Sequence, residues 1–234
     1  MVSRLLLRTE PMLRSVYHVM MEGSPPNLAG DRDIEYSFVA ANVPEGPGSA
    51  LDFGCGPRSW LALLASRKGF EATAVDLEPV SWLYECPNLE FLRGNLLDLD
   101  LPRDHFDLII NCSAIEHVGL VGRYGTACER IDGDFEVMRF LRALLRPNKP
   151  MLLTIPVGPD RVFRNLHRVY GAERLPRLLN GWEIKKQEFW VKDRSNRWIS
   201  TDESRALAHE TAPRSYSLGL FVLWPGDMRG NATA

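Results

Sequence analysis

Two carboxylates spaced around a pair of glycines carry the first chemical signal in this chain. Asp52 precedes Gly54 and Gly56 in Leu51-Asp52-Phe53-Gly54-Cys55-Gly56-Pro57-Arg58-Ser59, and Asp76 closes the apolar run Ala72-Thr73-Ala74-Val75 about 20 residues on. The glycines permit positive φ and let the backbone approach a ligand where a Cβ would collide. A dinucleotide turn wants Gly or Ala where Ser59 stands. It also needs backbone N–H groups at the helix start, where Pro57 supplies none. Asp52 would repel a phosphate and suit a cation, while an acid at the tip of the second strand is placed to accept hydrogen bonds from ribose hydroxyls. A nucleoside with a cationic head and no phosphate satisfies both acids, and S-adenosylmethionine (SAM) is such a molecule.

Further segments follow in order: Val75-Asp76-Leu77, Arg93-Gly94-Asn95 and Phe106-Asp107-Leu108-Ile109-Ile110-Asn111. Together with the glycine turn, over roughly Gly48 to Val157, they resemble the class I SAM-dependent methyltransferases. Ser113-Ala114-Ile115-Glu116-His117-Val118-Gly119, Arg123-Tyr124-Gly125 and Asp132-Gly133-Asp134 are similar to a less characterised bacterial branch, often associated with surface-polysaccharide or small-molecule modification. The resemblance implies that Gly54 and Gly56 shape the turn under the methionine part of SAM. By the same resemblance Asp52 meets its amino group and Asp76 holds the ribose. Asn95 accepts from the adenine amino group, with Asp98 as a rival, and Leu77, Leu96, Asn111 and Ser113 complete the cofactor contacts. Turn formation by Asp52 and helix capping by Asp76 are the structural alternatives.

Methyl transfer displaces a sulfonium from an already activated carbon, so the protein must align the nucleophile and, for a hydroxyl, take its proton. His117, next to Glu116 after the fourth strand, is the base in reach of that point, since imidazole titrates near neutrality; packing under the loop is the competing role. Arg123, Tyr124 and Asp134 read as acceptor contacts at the cofactor rim, against N-capping for Asp132 and Asp134. His167, Arg168 and Tyr170 form a second acceptor segment, Arg168 for a carboxylate or phosphate and Tyr170 for stacking; a basic surface helix is the alternative. Glu116, His117, His167, Asp132 and Asp134 contain metal-binding residue types, but no ligand spacing demands a metal.

These residues need an α/β frame. Apolar runs at 49–53, 72–76, 89–92, 106–111 and 151–155 alternate with helical patterns at 58–67 and 132–146, with a short helix or turn near 80–84. That predicts a Rossmann-like, doubly wound, mostly parallel sheet with its ligand over the carboxyl ends of the strands. The resemblance implies seven strands, the last antiparallel, with 183–191 and 216–223 as the closing hairpin and 192–215 as an insertion. The domain reading is an N-terminal helical extension or lid (1–47), a transferase domain (48–225) and a flexible tail (226–234). Asp31 is the expected N-cap of a helix from 31 to 39, whose charged start either lines the cofactor mouth or forms a solvated first turn, and 161–179 reads as basic and loosely helical.

The 234 residues carry a net charge of −2 and no Lys/Arg stripe, which disfavours nucleic-acid substrates. Four cysteines without CxxC pairing read as reduced thiols, and no apolar stretch approaches a membrane span, so the expected location is cytoplasmic. The reading is SAM-dependent methyl transfer to a small molecule, at a hydroxyl oxygen of a sugar or other polar metabolite, with a homodimer allowed. N-methylation of a small amine or protein group, or a non-catalytic SAM-binding partner subunit, are the alternatives.

Overall fold

The computed structural model describes residues 27–82, 84–122 and 129–226, together with Val16. Five strands follow in the order the sequence predicts, with α-helices between the first and second and between the fourth and fifth: β1 (Gly48–Phe53), β2 (Phe70–Asp76), β3 (Leu89–Arg93), β4 (Leu108–Cys112) and β5 (Met151–Val157). Helix α1 (Asp31–Asn42) precedes β1, α2 (Trp60–Arg67) joins β1 to β2, and α3 (Gly133–Leu144) precedes β5. After β5 come the hairpin β6 (Arg161–Phe163) and β7 (His167–Val169), then α4 (Arg174–Leu178). The chain ends with β8 (Trp182–Lys192), β9 (Trp198–Thr201), α5 (Glu203–Ala208) and β10 (Ser217–Pro225). Among the described residues the main sheet has eight strands in the order β3-β2-β1-β4-β5-β10-β8-β9. β1 to β5 pair parallel and β10 pairs antiparallel with both neighbours.

The eighth strand corrects the expected seven. The stretch 194–203 reads as polar turn, yet Trp198–Thr201 pairs with Phe189–Lys192 at the sheet edge. An edge strand needs hydrogen-bonding partners more than an apolar face, which hides it from hydropathy. Likewise 161–169 forms the β6–β7 hairpin rather than helix, and 79–82 is irregular. Gly30, not Asp31, caps α1, with φ 76°; Asp31 is the first helical residue, and its carboxylate accepts from the Arg32 amide at 2.8 Å. The helical pattern at 12–20, Val16 apart, and the tail beyond Gly226 lie outside the described residues.

Every residue of β4 and β5 is buried, as central parallel strands covered on both faces require. The pleat sorts them. Leu51, Ile109, Leu153 and Ile155 pack on the α3 side, whereas Ala50, Leu108, Ile110 and Leu152 pack on the α1–α2 side with Phe38, Val39, Leu61 and Ala65. Carried forward at the two-residue period, the second face places Asp52, Cys112 and Thr154 at its upper end. The registers set Cys112 level with Thr154, and Asp52 level with Ile110, two residues below them. At the opposite end, Asp107 accepts from the Ser49 amide at 3.0 Å and pairs with Arg146 at 2.7 Å and Lys149 at 3.2 Å. Burial opposes its charge, but the amide, Lys149 and Arg146 outweigh that and hold the carboxyl below the usual range.

A carboxyl whose folded pKa is depressed stabilises the fold above its unfolded pKa, and the contribution disappears as pH falls through the folded value. Asp107→Asn is therefore expected to cost about 1–2 kcal/mol at pH 7 and to flatten the acid limb of stability below the normal carboxylate range. Urea denaturation of both proteins between pH 7 and pH 3 measures this.

Candidate functional site

Over the carboxyl ends of β1, β2 and β4 lies a cavity of about 750 Å³. Its floor is the turn after β1. Gly54 and Gly56 both have φ 70°, and a Cβ on Gly54 would overlap that of Ala114 in the segment after β4, so the first glycine answers a close approach as well as a turn. The amides of Gly54 and Cys55 both bond to the Val75 carbonyl, at 2.8 and 3.2 Å. That of Gly56 donates to Asp76 Oδ2 at 2.9 Å, while Asp76 Oδ1 accepts from the Glu78 amide at 3.0 Å. Asp76 thus ties the tip of β2 to the turn and still borders the cavity.

Asp52 lies almost fully buried on the α1–α2 face and borders the cavity. Its Oδ2 accepts from the Ala62 amide in the first turn of α2 at 3.0 Å. Burial pushes its carboxyl up to about 7, with the Asp76 charge adding to the rise and the Ala62 amide opposing it. A charge held out of water with no counter-ion at hand is stabilised by an arriving cation. Asn95 opens the 3-10 turn at Leu96–Asp98; its Nδ2 donates to Asp98 Oδ2 at 3.0 Å, so the two rivals for the adenine contact are partners. Leu77, Asn95, Leu96 and Ser113 all line the cavity. Asn111 does not: fully buried beneath it, it donates to the Phe53 carbonyl at 3.4 Å and accepts from the Ile115 amide at 3.3 Å, stitching β1 to the segment after β4.

His117 reaches the cavity from a 3-10 turn, Ile115–His117. Its Nδ1 lies 2.5 Å from the Leu166 carbonyl, and a carbonyl accepts only, so Nδ1 carries the hydrogen of the neutral ring. Nε2, 3.7 Å from Glu116 Oε1, is then the atom that takes a proton. Glu116 is buried behind it and does not line the cavity.

The second acceptor segment lies elsewhere. Arg168 is buried; its guanidinium donates to the carbonyls of Glu116, Val118, Arg130 and Ile131, at 3.4, 2.5, 3.2 and 3.2 Å. Asp134, equally buried, accepts from the Tyr170 hydroxyl at 3.0 Å and is gripped by Arg174 Nη2 at 2.7 and 2.8 Å. His167 is buried against Phe163 and Tyr216. None of Asp134, His167, Arg168 or Tyr170 lines the cavity. β7 and the residue after it insert His167, Arg168 and Tyr170 behind the segment after β4, and Asp134 meets them from the start of α3, where a buried guanidinium and a buried carboxylate need partners. Arg123 and Tyr124 lie outside the described residues. Among the described residues no cluster of three His, Cys, Asp or Glu side chains could hold a metal.

One wall was open between two readings in the sequence, the charged start of the helix from Asp31 lining the cofactor mouth or forming a solvated first turn. Helix α1 lays Arg32 and Tyr36 along the cavity. The adjoining Glu35, fully buried, pairs with Arg32 Nη1 at 2.6 Å and accepts from the hydroxyls of Ser113 and Thr154, the latter at 2.8 Å. Burial raises the Glu35 carboxyl, against the pull of Arg32. Charge at the start of a helix reads as a solvated first turn, and only the tertiary contact with β4 and β5 distinguishes it.

The comparisons agree with this geometry. Residues 51–132 match the family model described as a methyltransferase domain, and residues 98–213 match one described as a Caenorhabditis protein of unknown function, DUF268. A search of curated proteins gives no match. One similar solved structure is the Burkholderia thailandensis 1,6-didemethyltoxoflavin-N1-methyltransferase, with bound 1,6-didemethyltoxoflavin and S-adenosylhomocysteine. It is 16% identical over 97% of this chain and 88% of its own, at a TM-score of 0.56. A second is the Haloferax volcanii complex between the Trm112 methyltransferase activator and a putative methyltransferase, at 14% identity, 87% and 93% coverage and a TM-score of 0.58. A third, an S-adenosylmethionine-dependent methyltransferase from Mesorhizobium loti, has 18% identity, 81% and 97% coverage and a TM-score of 0.53. The chain has the fold of these class I, SAM-dependent methyltransferases, as the motif resemblance implied, and its residues 51–132 match the methyltransferase-domain model.

Replacing Gly54 by Ala forces both a strained φ and the collision with Ala114. It is expected to cost about 3 kcal/mol in stability, of which the double change with Ala114→Gly restores the packing part only; denaturant midpoints of the three proteins measure it.

Proposed function

We propose that this protein transfers the methyl group of SAM to a small polar molecule, at a hydroxyl oxygen of a sugar or a comparable metabolite. The observation that carries the reading is the pair of cavity acids around the glycine turn: Asp52, buried and ready for an ammonium, and Asp76, at the tip of β2 for the ribose. Gly54 and Gly56 bring the backbone under the methionine part, Asn95 and Leu96 border the adenine end, and Leu77 lies beside the ribose. His117 is oriented by the Leu166 carbonyl so that Nε2 can take the hydroxyl proton, while proximity supplies the rest of the acceleration. Val118, Gly119 and Arg130 extend the cavity beyond the length of the cofactor cradle and offer room for an acceptor. Residues 48–225 are read as the transferase domain, with 192–215 as an insertion between its last two strands, and the chain is placed in the cytoplasm.

Two observations favour second readings. The Burkholderia relative is an N-methyltransferase, so a ring nitrogen is the alternative acceptor atom, one that needs no base when it is neutral. The Haloferax relative is held by an activator protein, which supports a partner-dependent subunit. The fold also leaves no helix, among the described residues, long and apolar enough to cross a membrane.

Calorimetric titration with SAM and with S-adenosylhomocysteine tests the cofactor; micromolar affinity for both is expected, and binding of neither overturns the reading. The ammonium favours ionised Asp52, so binding lowers its pKa from about 7. Affinity is then full above pH 7 and drops as pH falls below it, by up to about tenfold per unit. Asp52→Asn is expected to bind weakly and to lose that dependence. For the base, His117→Gln should lower kcat at oxygen about 100-fold or more with cofactor affinity unchanged; methylation that survives intact assigns His117 to the scaffold and favours nitrogen.

A further inference from the structure

Away from the cavity, one turn of the chain is set for a covalent change. Asn180 is followed by Gly181, and no other asparagine in the sequence precedes a glycine. The pair forms the joint between α4 and β8. There the Asn180 amide donates to the Arg177 carbonyl at 3.3 Å, and the Trp182 amide to the Leu179 carbonyl at 3.0 Å. The fold itself demands the glycine. Gly181 has φ 82°, in the left-handed region, and a Cβ there would stand 2.5 Å from Arg142 Nη1. Its carbonyl is held from two sides, by Arg142 Nη1 of α3 and by the Gly226 amide just past β10, each at 2.9 Å.

The two groups that react with each other in such a pair are not held. The Asn180 side chain is exposed, and among the described residues neither its carboxamide nor the Gly181 amide makes a hydrogen bond. Glycine brings no side chain to crowd the carboxamide before it, so its nitrogen can approach Asn180 Cγ. Two other exposed asparagines, Asn148 and Asn196, are followed by Lys149 and Arg197, whose side chains obstruct that approach.

We propose that Asn180 is a site of spontaneous deamidation, and that the joint between α4 and β8 is where this protein ages. Hydroxide takes the Gly181 amide proton and the nitrogen adds to Asn180 Cγ. The Cγ–Nδ2 bond breaks, and Nδ2 leaves as ammonia with a proton returned by water. The cyclic imide that remains is opened by water at either carbonyl, which gives aspartate or isoaspartate at position 180; nothing is oxidised or reduced. Isoaspartate lengthens the main chain by a methylene just before the carbonyl that Arg142 and Gly226 hold, so the tie between α3 and the closing strands loosens. None of Arg142, Asn180 or Gly181 lines the cavity, and the proposal is independent of the SAM reading.

Folded protein stored in warm, mildly alkaline buffer and then digested with trypsin tests this. The peptide 178–185 contains Asn180 as its one asparagine, and mass spectrometry reads the exchange of nitrogen for oxygen there against the same exchange at Asn148 and Asn196. Conversion at Asn180 is expected to be about tenfold faster than at either, and within about tenfold of its rate in urea, because the fold leaves both reacting groups free. An intact peptide, equal conversion at the three asparagines, or protection by the fold of about 100-fold or more overturns the proposal. Asn180→Gln blocks the reaction, since the imide ring it requires is larger and closes more slowly. On storage the denaturant midpoint of the wild type is expected to fall as isoaspartate accumulates, while that of the variant holds. An equal decline of both proteins, or a wild-type midpoint that stays constant while isoaspartate forms, overturns the link between the modification and the joint.

Discussion

A carboxylate with no exposed surface has to be surrounded by donors, and Glu35 is such a group. Left alone it would cost several kcal/mol or take up a proton. Its partners come from three places in the chain: Arg32 one helical turn back, Ser113 just past β4, and Thr154 on β5. Satisfying one buried charge therefore pins α1 across the carboxyl ends of two strands. Ser113, with φ 50°, is in the left-handed region, a conformation that costs a non-glycine residue energy. The hydrogen bond to Glu35 is one of the contacts that hold it there. The cavity wall thus follows from polar satisfaction together with the apolar face of α1, where Phe38 and Val39 pack on the sheet.

The same face of the sheet explains Asp52. The pleat that buries Ala50 against α1 and α2 must, two residues later, send Asp52 the same way. The Ala62 amide at the start of α2 donates to it, and one neutral donor does not offset burial of a charge. The strand period thus delivers an acid to a place where water is scarce and a ligand cation is welcome. Asp76 differs: it lies at a strand tip, both its oxygens already accept backbone amides, and its role combines holding the turn with facing the cavity. Two acids that look alike in the sequence have unlike surroundings because of where the strands end.

That contrast marks the boundary of what was legible. The glycine turn, the two acids, Asn95 and His117 come from contiguous segments whose roles follow from strand ends and turn chemistry, and the structure sets all of them on the cavity. The parallel core was readable because its strands are apolar on both faces. The eighth strand was not, because an edge strand such as Trp198–Thr201 is specified by a neighbour's open hydrogen bonds. Arg168, Tyr170 and Asp134 have side chains suited to an acceptor, but residue type says nothing of whether the side chain points to solvent or to four carbonyls. Arg32 and Glu35 stayed undecided between cavity wall and solvated turn for the converse reason: charged residues in a first turn usually meet water, and nothing local announces Thr154 more than a hundred residues away.

The buried Arg168 network gives the acceptor side its own logic. Its guanidinium bonds to carbonyls on both stems of the segment between β4 and α3, at Glu116 and Val118 on one and Arg130 and Ile131 on the other. Leu166, in the turn of the same β6–β7 hairpin, supplies the carbonyl that sets the His117 ring. The hairpin is therefore to His117 what Glu35 is to Arg32, a buried polar support placed behind the residue that reaches the cavity. A base must present its lone pair at a fixed angle to a proton, and an imidazole at the end of a short 3-10 turn has no intrinsic reason to hold one. Fixing Nδ1 from behind leaves Nε2 a narrow range of orientations. The hairpin that sequence reading assigned to substrate contact thus lies behind the cavity wall, where it holds the segment that carries His117.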